Sequence, residues 1–280
     1  MSKGFVIFAK NSKDVNYVMQ ACALALSIKK TQTEVSNVSI ITNDPVPDNF
    51  KSLFDKIIEI PWYNESDNFL AADHRWKIYH VSPYDQTIVL DSDMLILDDI
   101  SKWWNYLDNY DLKFCTKIKN YKEEVIEKDT KHRKTFIENE LPNIYCALHY
   151  FRKSNIALGF YKILEFVVNN WEHCYGKYAS KEYQHWLSMD LSAAIALKIS
   201  SYQDEIIDKN SPLEFTHMKP AIQGWILDNA RWQNAVHKFM NKQGELYIAN
   251  IKQQKIFHYV EEDFLTSEIF EILKELPDAR

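Results

Sequence analysis

Short apolar segments alternate with longer amphipathic segments along the first 115 residues of the chain. Phe5–Phe8 is a short apolar run, and Val38–Ile41 and Lys56–Ile60 are predicted as the next strands; each of the three ends in a polar or proline-containing loop. Between the first two runs, apolar side chains recur at helical spacing over residues 15–29, and Asp14 is placed to cap that helix. This alternation with short connections predicts an α/β fold with a mostly parallel sheet flanked by helices.

The most informative stretch is Thr87–Leu97, TIVLDSDMLIL, in which two apolar runs enclose Asp91, Ser92 and Asp93. Apolar residues throughout indicate a strand covered on both faces, as in the centre of a parallel sheet. Residues two positions apart on extended backbone point to the same side, so we expect the carboxylates of Asp91 and Asp93 to lie close together. Ligands of open α/β sheets bind at the carboxyl ends of strands, where this pair lies.

Two carboxylates that close repel each other unless a cation lies between them. Hard divalent cations such as Mg²⁺ and Mn²⁺ prefer oxygen ligands, so Asp91 and Asp93 are candidate metal ligands. The alternative is a strand end at which solvated aspartates begin a turn, as we expect for Asp98 and Asp99. The Asp-x-Asp motif is too short to decide between these interpretations.

Beyond Leu97 the chain becomes more polar, and residues 117–139 are strongly charged, with a basic cluster at Lys128–Lys134. Charge runs are usually solvated faces, and the alternative is a mobile flap over the site that contacts an anionic acceptor. The remaining predicted elements are helices at 50–54, 71–81, 101–107, 155–171, 188–199 and 265–276, and strands at 112–115, 144–151, 246–248 and 255–258. Neither an internal repeat nor a linker is evident, so we expect residues 1–280 to form a single domain.

Glycine is scarce, with five residues in 280, against a usual share of about 7%. Neither G-x-G-x-x-G nor the Walker pattern occurs, so no glycine-rich loop is available to cradle a diphosphate. A bound nucleotide would need another counter-charge, which a metal on Asp91 and Asp93 would supply. The net charge of −6 argues against a general nucleic-acid-binding surface, although it leaves room for a local basic patch.

The chain contains no run of 18 apolar residues, and its first apolar run is too short for a secretory signal. We therefore expect no membrane span and a cytoplasmic location. The four cysteines lack Cys-x-x-Cys spacing, and we interpret them as reduced thiols rather than as disulfides or a zinc site. They are Cys22, Cys115, Cys146 and Cys174.

Spaced motifs in the first half of the chain carry a family resemblance. FAKNSKDVNY follows the first strand with an asparagine and a tyrosine, and RWKIYHVSPYDQTIVLDSD places Arg75 eight residues before Pro83, ahead of the apolar strand and Asp-x-Asp. These motifs resemble the GT-A (Rossmann-like) fold of metal-dependent nucleotide-sugar glycosyltransferases, in particular the retaining family of glycogenin and the bacterial lipopolysaccharide galactosyltransferases. The resemblance implies donor contacts at Ala9, Asn11, Tyr17, Arg75, Lys77, Asp91 and Ser92.

The second half matches the same family less completely. PNIYCALHYF and WLSMDLSAA resemble its sugar-site motifs and keep Asn143 and Asp190, but a glycine and an aspartate of the family are absent. IFHY resembles the strand that ends in the third metal ligand, here His258, although the Lys-Pro-Trp that follows in the family is missing. FTHMKPAIQGW supplies Lys219, which could neutralise the leaving diphosphate, and His217, the rival third ligand. We favour His258 because it ends a predicted strand.

The resemblance implies transfer of a sugar from a nucleotide-sugar donor, with a UDP-sugar expected, to a hydroxyl acceptor. Mn²⁺ or Mg²⁺ would be held by Asp91, Asp93 and His258, and retention of configuration would need no dedicated base. Asp190 would orient the sugar or stabilise positive charge at its anomeric carbon; the alternative is that it caps a helix. Residues 1–115 would bind the donor, and residues 116–280 would form the acceptor and sugar half.

Two other functions remain open at this point. Haloacid-dehalogenase phosphatases also begin with an apolar strand and Asp-x-Asp, and Asp91 would then be the nucleophile. Leu95 departs from their motif, and their strand is usually the first in the chain, whereas three predicted strands precede this one. Because the sugar-site motifs are incomplete, the protein could also bind a nucleotide sugar without turnover.

The acceptor is a glycan or a protein hydroxyl by default. The chain also resembles short glycosyltransferase-like proteins of tailed phages, for which a hydroxymethylated DNA base becomes a candidate acceptor. The basic cluster Lys128–Lys134 is where phosphate contacts to DNA would be expected.

Overall fold

The computed structural model describes residues 1–63, 74–126, 133–180, 186–202, 208, 210–225 and 231–279. In chain order the strands are β1 (Lys3–Phe8), β2 (Val38–Ile41), β3 (Lys56–Ile58), β4 (Gln86–Asp91), β5 (Met94–Ile96), β6 (Leu112–Cys115), β7 (Lys117–Lys119), β8 (Tyr145–Arg152), β9 (Glu214–His217), β10 (Lys238–Met240), β11 (Leu246–Ile248), β12 (Ile251–Lys252) and β13 (Ile256–His258). The α-helices are α1 (Tyr17–Thr31), α2 (Ile78–Val81), α3 (Lys102–Leu107), α4 (Lys134–Glu138), α5 (Asn155–Asn169), α6 (Trp171–Tyr178), α7 (Met189–Ser200), α8 (Trp232–Ala235) and α9 (Ser267–Glu275). Short 3₁₀ helices span Asp48–Leu53, Arg75–Lys77, Pro220–Gln223 and Glu262–Phe264.

The central sheet has the strand order β3-β2-β1-β4-β8-β6. Its first four strands are mutually parallel, whereas β8 runs antiparallel to both β4 and β6. Alternate side chains of β1 enter different cores, with Phe5 and Ile7 in one and Val6 and Phe8 in the other. Both faces are therefore covered, which explains the uninterrupted apolar sequence and confirms the predicted mostly parallel α/β fold.

The N-cap of helix α1 lies two residues later than predicted. Asn16, rather than Asp14, is the N-cap, since its side chain accepts a hydrogen bond from the Met19 amide at 3.0 Å. Both residue types cap helices well, so the sequence pattern alone did not separate them. The apolar body of α1 is buried against β5 and α9.

The prediction of one continuous strand over Thr87–Leu97 is wrong. The chain turns at Ser92 and Asp93, so that β4 belongs to the central sheet and β5 to a second sheet of order β5-β13-β9-β7. The two apolar runs look alike in sequence because both strands are fully buried apart from Asp91 at the end of β4. The turn also means that Asp91 and Asp93 do not lie on one extended segment.

Several other boundaries differ from their predictions. The predicted helix over 155–171 is two helices, α5 and α6, because the backbone leaves the helical region at Asn170 (φ −123°, ψ 40°). Of the predicted helix at 71–81, residues 71–73 lie outside the described residues, and the rest is a 3₁₀ turn followed by α2. No described helix has both the length and the apolar composition needed to cross a membrane.

His149 on β8 is a buried histidine, and its protonation makes the free energy of unfolding depend on pH. Its Nδ1 lies 2.8 Å from the Cys146 carbonyl oxygen, to which it donates, and its Nε2 lies 3.1 Å from the Tyr161 hydroxyl. Burial lowers the pKa of His149 from 6.5 to about 3, so the ring is neutral in the folded protein. Unfolding raises the pKa again, and the unfolded chain therefore binds a proton that the folded chain does not.

We expect the free energy of unfolding to fall as the pH drops below 6.5, with about 2 kcal/mol of the loss between pH 7 and pH 5 due to His149. Urea unfolding of the wild type and of His149→Gln at both pH values measures this contribution, because titrations of other groups cancel in the comparison. An identical pH dependence in the two proteins would contradict the assignment.

Candidate metal and donor site

Strand pairing brings the two aspartates and one histidine together. Asp91 is the last residue of β4, and Asp93 lies in the turn that leads into β5. Antiparallel pairing of β5 with β13 sets His258 opposite Met94, one residue from Asp93. The potential ligand atoms of Asp91, Asp93 and His258 all lie within 4.8 Å of one another. The two aspartates thus lie close together as predicted, although a turn rather than one extended strand brings them there, and the distant strand β13 adds His258.

The three side chains fit a divalent cation. Mg²⁺ holds its ligands at about 2.0–2.1 Å, so ligand atoms on one ion lie about 3–4 Å apart, which needs only small side-chain movements here. Two carboxylates and one imidazole suit Mn²⁺ well, because carboxylates favour hard cations and imidazole favours transition metals. The buried Nδ1 of His258 has no hydrogen-bond partner among the described residues, so the ring is not fully occupied by contacts within the described part of the protein.

Within this group, Asp93 and His258 form a close pair with Nε2 of the histidine 2.9 Å from Oδ2. Burial raises the pKa of Asp93, but the charge and hydrogen bond of His258 together outweigh it and leave the pKa below its usual value. For His258, burial lowers the pKa, and the charge and hydrogen bond of Asp93 raise it above its usual value. Asp93 is therefore ionised at neutral pH, as a metal ligand must be.

Arg75 supplies the opposite charge to Asp91. Its guanidinium forms an ion pair and hydrogen bond with Oδ1 of Asp91, and both side chains are largely buried, at 15% and 23% exposed. Arg75 begins the 3₁₀ turn at Arg75–Lys77, which precedes α2 and β4. Arg75 thus lies beside the Asp-x-Asp motif, and its contact with a donor stays a prediction.

A small cavity of about 250 Å³ opens beside these residues at the carboxyl ends of β1 and β4. Among the predicted donor contacts, Tyr17, Arg75, Asp91 and Ser92 line it, and Asp93 does as well. Burial raises the pKa of the Tyr17 hydroxyl, and the charges of nearby carboxylates, Asp93 first among them, raise it further. The tyrosine therefore keeps its proton and can donate a hydrogen bond to a ligand.

The other predicted donor contacts, Ala9, Asn11 and Lys77, do not line this cavity. Ala9 is buried and pairs through its amide with the Ile41 carbonyl. Asn11 holds the loop to α1, since its Oδ1 accepts from the Val18 amide at 3.0 Å. Lys10 between them does line the cavity. Lys77 lines a different cavity, where its Nζ donates to the Trp62 carbonyl oxygen at 3.1 Å.

A larger cavity of about 470 Å³ lies on the other side of the acidic group. It is lined by Asp91, Asp93 and His258 together with Asp190, Lys219 and His217, so the remaining predicted site residues meet in one place. His217 and His258 lie opposite each other on the parallel strands β9 and β13. Their rings stack at 4.7 Å with an angle of 9° between planes, and of the two histidines only His258 belongs to the group whose ligand atoms lie within 4.8 Å of one another.

Asp190 is not the helix cap that the alternative interpretation required. Ser188 is the N-cap of α7, accepting from the Leu191 amide at 3.3 Å. Asp190 instead accepts from the Cys146 amide at 2.7 Å and from Arg133 at 2.7 Å. These bonds hold its carboxylate at the wall of the larger cavity.

Arg133 is a site residue whose position the charge pattern concealed. It belongs to the basic cluster for which a solvated face was the usual expectation, and that expectation is wrong for Arg133, which is 7% exposed. Its guanidinium pairs with Asp190 and lies 3.8 Å from the ring centroid of Tyr145. Lys134 lines the same cavity, whereas Lys128, Lys131 and His132 lie outside the described residues. The sequence held one signal of the buried position of Arg133: aromatic residues follow it in the chain, and arginine often packs on aromatic rings.

Comparisons with known proteins agree with this architecture. No protein-family model and no curated protein matches the chain. Among solved structures, the apo form of mouse xyloside xylosyltransferase 1 is 11% identical and superposes with a TM-score of 0.51, covering 95% of this chain and 100% of that one. The galactosyltransferase LgtC, solved with donor and acceptor sugar analogues, is 12% identical with a TM-score of 0.53, covering 99% and 97%.

The chain has the GT-A fold. At this level of identity the likeness establishes the arrangement of strands and helices, and the chemistry has to be argued from the side chains. In this GT-A chain the acidic group lies at the carboxyl ends of the parallel strands, between the two cavities. That is the position at which open α/β sheets bind ligands.

Proposed function

We propose that the protein is a metal-dependent glycosyltransferase that transfers a sugar from a nucleotide sugar, with a UDP-sugar the expected donor, to a hydroxyl acceptor. The observation that carries this proposal is the convergence of Asp91, Asp93 and His258 within 4.8 Å at the boundary of two cavities. Donor diphosphate and metal would meet there. The nucleoside would extend into the cavity beside Tyr17, and the sugar would extend into the cavity beside Asp190.

The charges of the larger cavity favour an anionic ligand with a metal. Four permanently positive side chains line it, Arg75, Arg133, Lys134 and Lys219, against the three carboxylates Asp91, Asp93 and Asp190. A divalent ion on the acidic group would increase this positive excess and balance a diphosphate. This arrangement replaces the glycine-rich loop that the sequence lacks.

Each residue has a role in this proposal. A bound ion would act as a Lewis acid that stabilises the negative charge on the departing diphosphate. Lys219 would add a positive charge at the same place, and Arg75 would hold the Asp91 carboxylate in position. Asp190, oriented by the Cys146 amide and by Arg133, would orient the donor sugar or stabilise positive charge at its anomeric carbon. Retention of configuration stays an expectation from the family resemblance.

A thermal-shift screen tests the proposal without knowledge of the acceptor. We expect UDP and UDP-sugars to raise the melting temperature in Mn²⁺ and to have little effect in EDTA, because a ligand that binds only the folded state stabilises it by mass action. Asp93→Asn should lose the Mn²⁺-dependent shift. Asp278→Asn is a matched control, since Asp278 is 77% exposed and pairs with Lys30. No shift with any nucleoside diphosphate or nucleotide sugar would contradict donor binding.

A further inference from the structure

A third cavity, of about 660 Å³, lies beside the site but is not part of it. Its lining includes three tryptophans and a histidine, with a carboxylate, an amide and an ammonium group at the wall: Trp62, Trp76, Trp171, His80, Glu165, Asn169 and Lys77. Neither the metal group nor the donor cavities use these residues. An aromatic cavity with a few polar groups is typical of a binding site for a small organic ligand.

Trp62 is the most unusual side chain in this cavity. It is 67% exposed, although tryptophan is usually well buried. One face of its ring stacks on the buried Trp76, at 5.8 Å between centroids and 16° between planes. His80 contacts both rings edge-on, and Lys77 holds the Trp62 backbone through its carbonyl. The exposed ring is thus fixed from behind and presents a flat apolar surface.

The polar groups nearby complement the aromatic surface. Glu165 and Asn169 lie one turn apart on α5, so both face the cavity. The buried Nε2 of His80 has no hydrogen-bond partner among the described residues. A pyranose ring offers an apolar C–H face for the tryptophan and hydroxyl groups for the carboxylate and the amide. A nucleic-acid strand fits less well, because Glu165 would repel its phosphates and Lys77, a cation of the lining, already donates to the Trp62 carbonyl oxygen.

The third cavity adjoins the cavity that contains Asp190 and the metal group. Arg75 and Ser188 line the cavity of about 470 Å³ beside the metal group. Their neighbours Trp76 and Leu187 line the third cavity, which we call the aromatic cavity. The two cavities therefore share walls formed by residues 75–77 and 186–188. Because the cavities adjoin, a ligand of several linked sugars could occupy both of them at once.

We infer that the aromatic cavity is a second carbohydrate-binding site, which holds a sugar unit of a glycan acceptor away from the hydroxyl that reacts. That the bound glycan is an acceptor rests on the proposed function. The binding of carbohydrate itself requires neither donor nor metal. It selects a glycan from the acceptors that the sequence left open.

Saturation-transfer difference NMR and ligand titration without donor or metal test the binding. The probes are maltotetraose, cellotetraose, galactotetraose and the tetramer of N-acetylglucosamine, with an eight-residue thymidine oligonucleotide as the nucleic-acid probe. We expect at least one tetrasaccharide to bind, and Trp62→Ala and Glu165→Ala each to weaken it by about tenfold or more. Phe166→Ala is the matched control, since Phe166 is 52% exposed on the same helix and does not line the cavity.

Absence of binding by all four tetrasaccharides would overturn the inference, as would equal binding by wild type and Trp62→Ala. Binding of the oligonucleotide that depends on Trp62 would overturn it in favour of nucleic acid. The two proposals fail separately. Tetrasaccharide binding without any nucleotide-sugar binding would remove the transferase and leave the carbohydrate site, and the converse result would remove only the carbohydrate site.

Discussion

Asp93→Asn is expected to reduce sugar transfer by about a thousandfold or more while the fold is retained. The substitution replaces a charged oxygen ligand with a neutral amide and removes the ionic partner of His258, 2.9 Å away. Charge stabilisation by a catalytic metal contributes several kcal/mol, and about 4 kcal/mol corresponds to a thousandfold in rate. Turnover of a nucleotide sugar, measured as release of nucleoside diphosphate with Mn²⁺, reports the loss.

Circular dichroism and the melting temperature of the same variant separate loss of chemistry from loss of structure. Asp93 is 20% exposed, and removal of its charge leaves His258 free to become neutral, so we expect a folded protein. Activity within a few-fold of the wild type would contradict the metal assignment. Activity that survives in both Asp93→Asn and EDTA would point to transfer without a metal.

Asp190→Asn is expected to lower kcat by about a hundredfold to a thousandfold with donor affinity changed only a few-fold. The amide oxygen can still accept from the Cys146 amide, but the negative charge facing the cavity is lost. Loss of one electrostatic contact to a developing charge typically costs about 3–4 kcal/mol of transition-state stabilisation. Steady-state kinetics and UDP-sugar titration together give kcat and the donor affinity.

A positioning role for Asp190 through Arg133 would produce a different result. Arg133 is nearly buried and pairs with Asp190, so a purely structural effect would lower the melting temperature and donor affinity along with kcat. Arg133→Lys retains the charge and tests this pair from the other side. Unchanged kcat in Asp190→Asn would contradict a role in the transfer step.

The fold was predictable where local pattern and final environment agree. Val38–Ile41 is apolar except for the buried Ser39 because the sheet and the helices bury both faces, and the structure reproduces the predicted bounds of this strand. Arg75, Asp91 and Asp93 were predictable as a group because the motif that carries them is contiguous in sequence. His258 followed from the resemblance, and its pairing with β5 explains the contact with Asp93.

Other features depend on contacts between distant segments. After the break, β5 pairs with β13, more than 150 residues later, and the only local signal of the turn is the short polar segment Asp91-Ser92-Asp93. Arg133 appears in a charged run, and only the folded chain shows that Asp190 and Tyr145 bury it. Lys77 and Arg75 are two residues apart, yet the 3₁₀ turn directs them into different cavities.

The phosphatase alternative finds no support in the site. Asp91 would have to attack phosphorus, yet its carboxylate is already engaged by the guanidinium of Arg75, which makes it a weaker nucleophile. Binding of a nucleotide sugar without turnover differs from the proposed function only in catalysis, and the Asp190→Asn kinetics address that difference.

The position of the bound metal is the sharpest test of whether Asp91, Asp93 and His258 hold it. Crystals grown with Mn²⁺ and UDP, measured at a wavelength where manganese scatters anomalously, give the position of the ion independently of its ligands. We expect one strong anomalous peak, from a manganese ion that is bound by Asp91, Asp93 and His258 and contacts the UDP diphosphate. UDP bound in the cleft with no manganese at these three side chains, or manganese bound elsewhere, would contradict it.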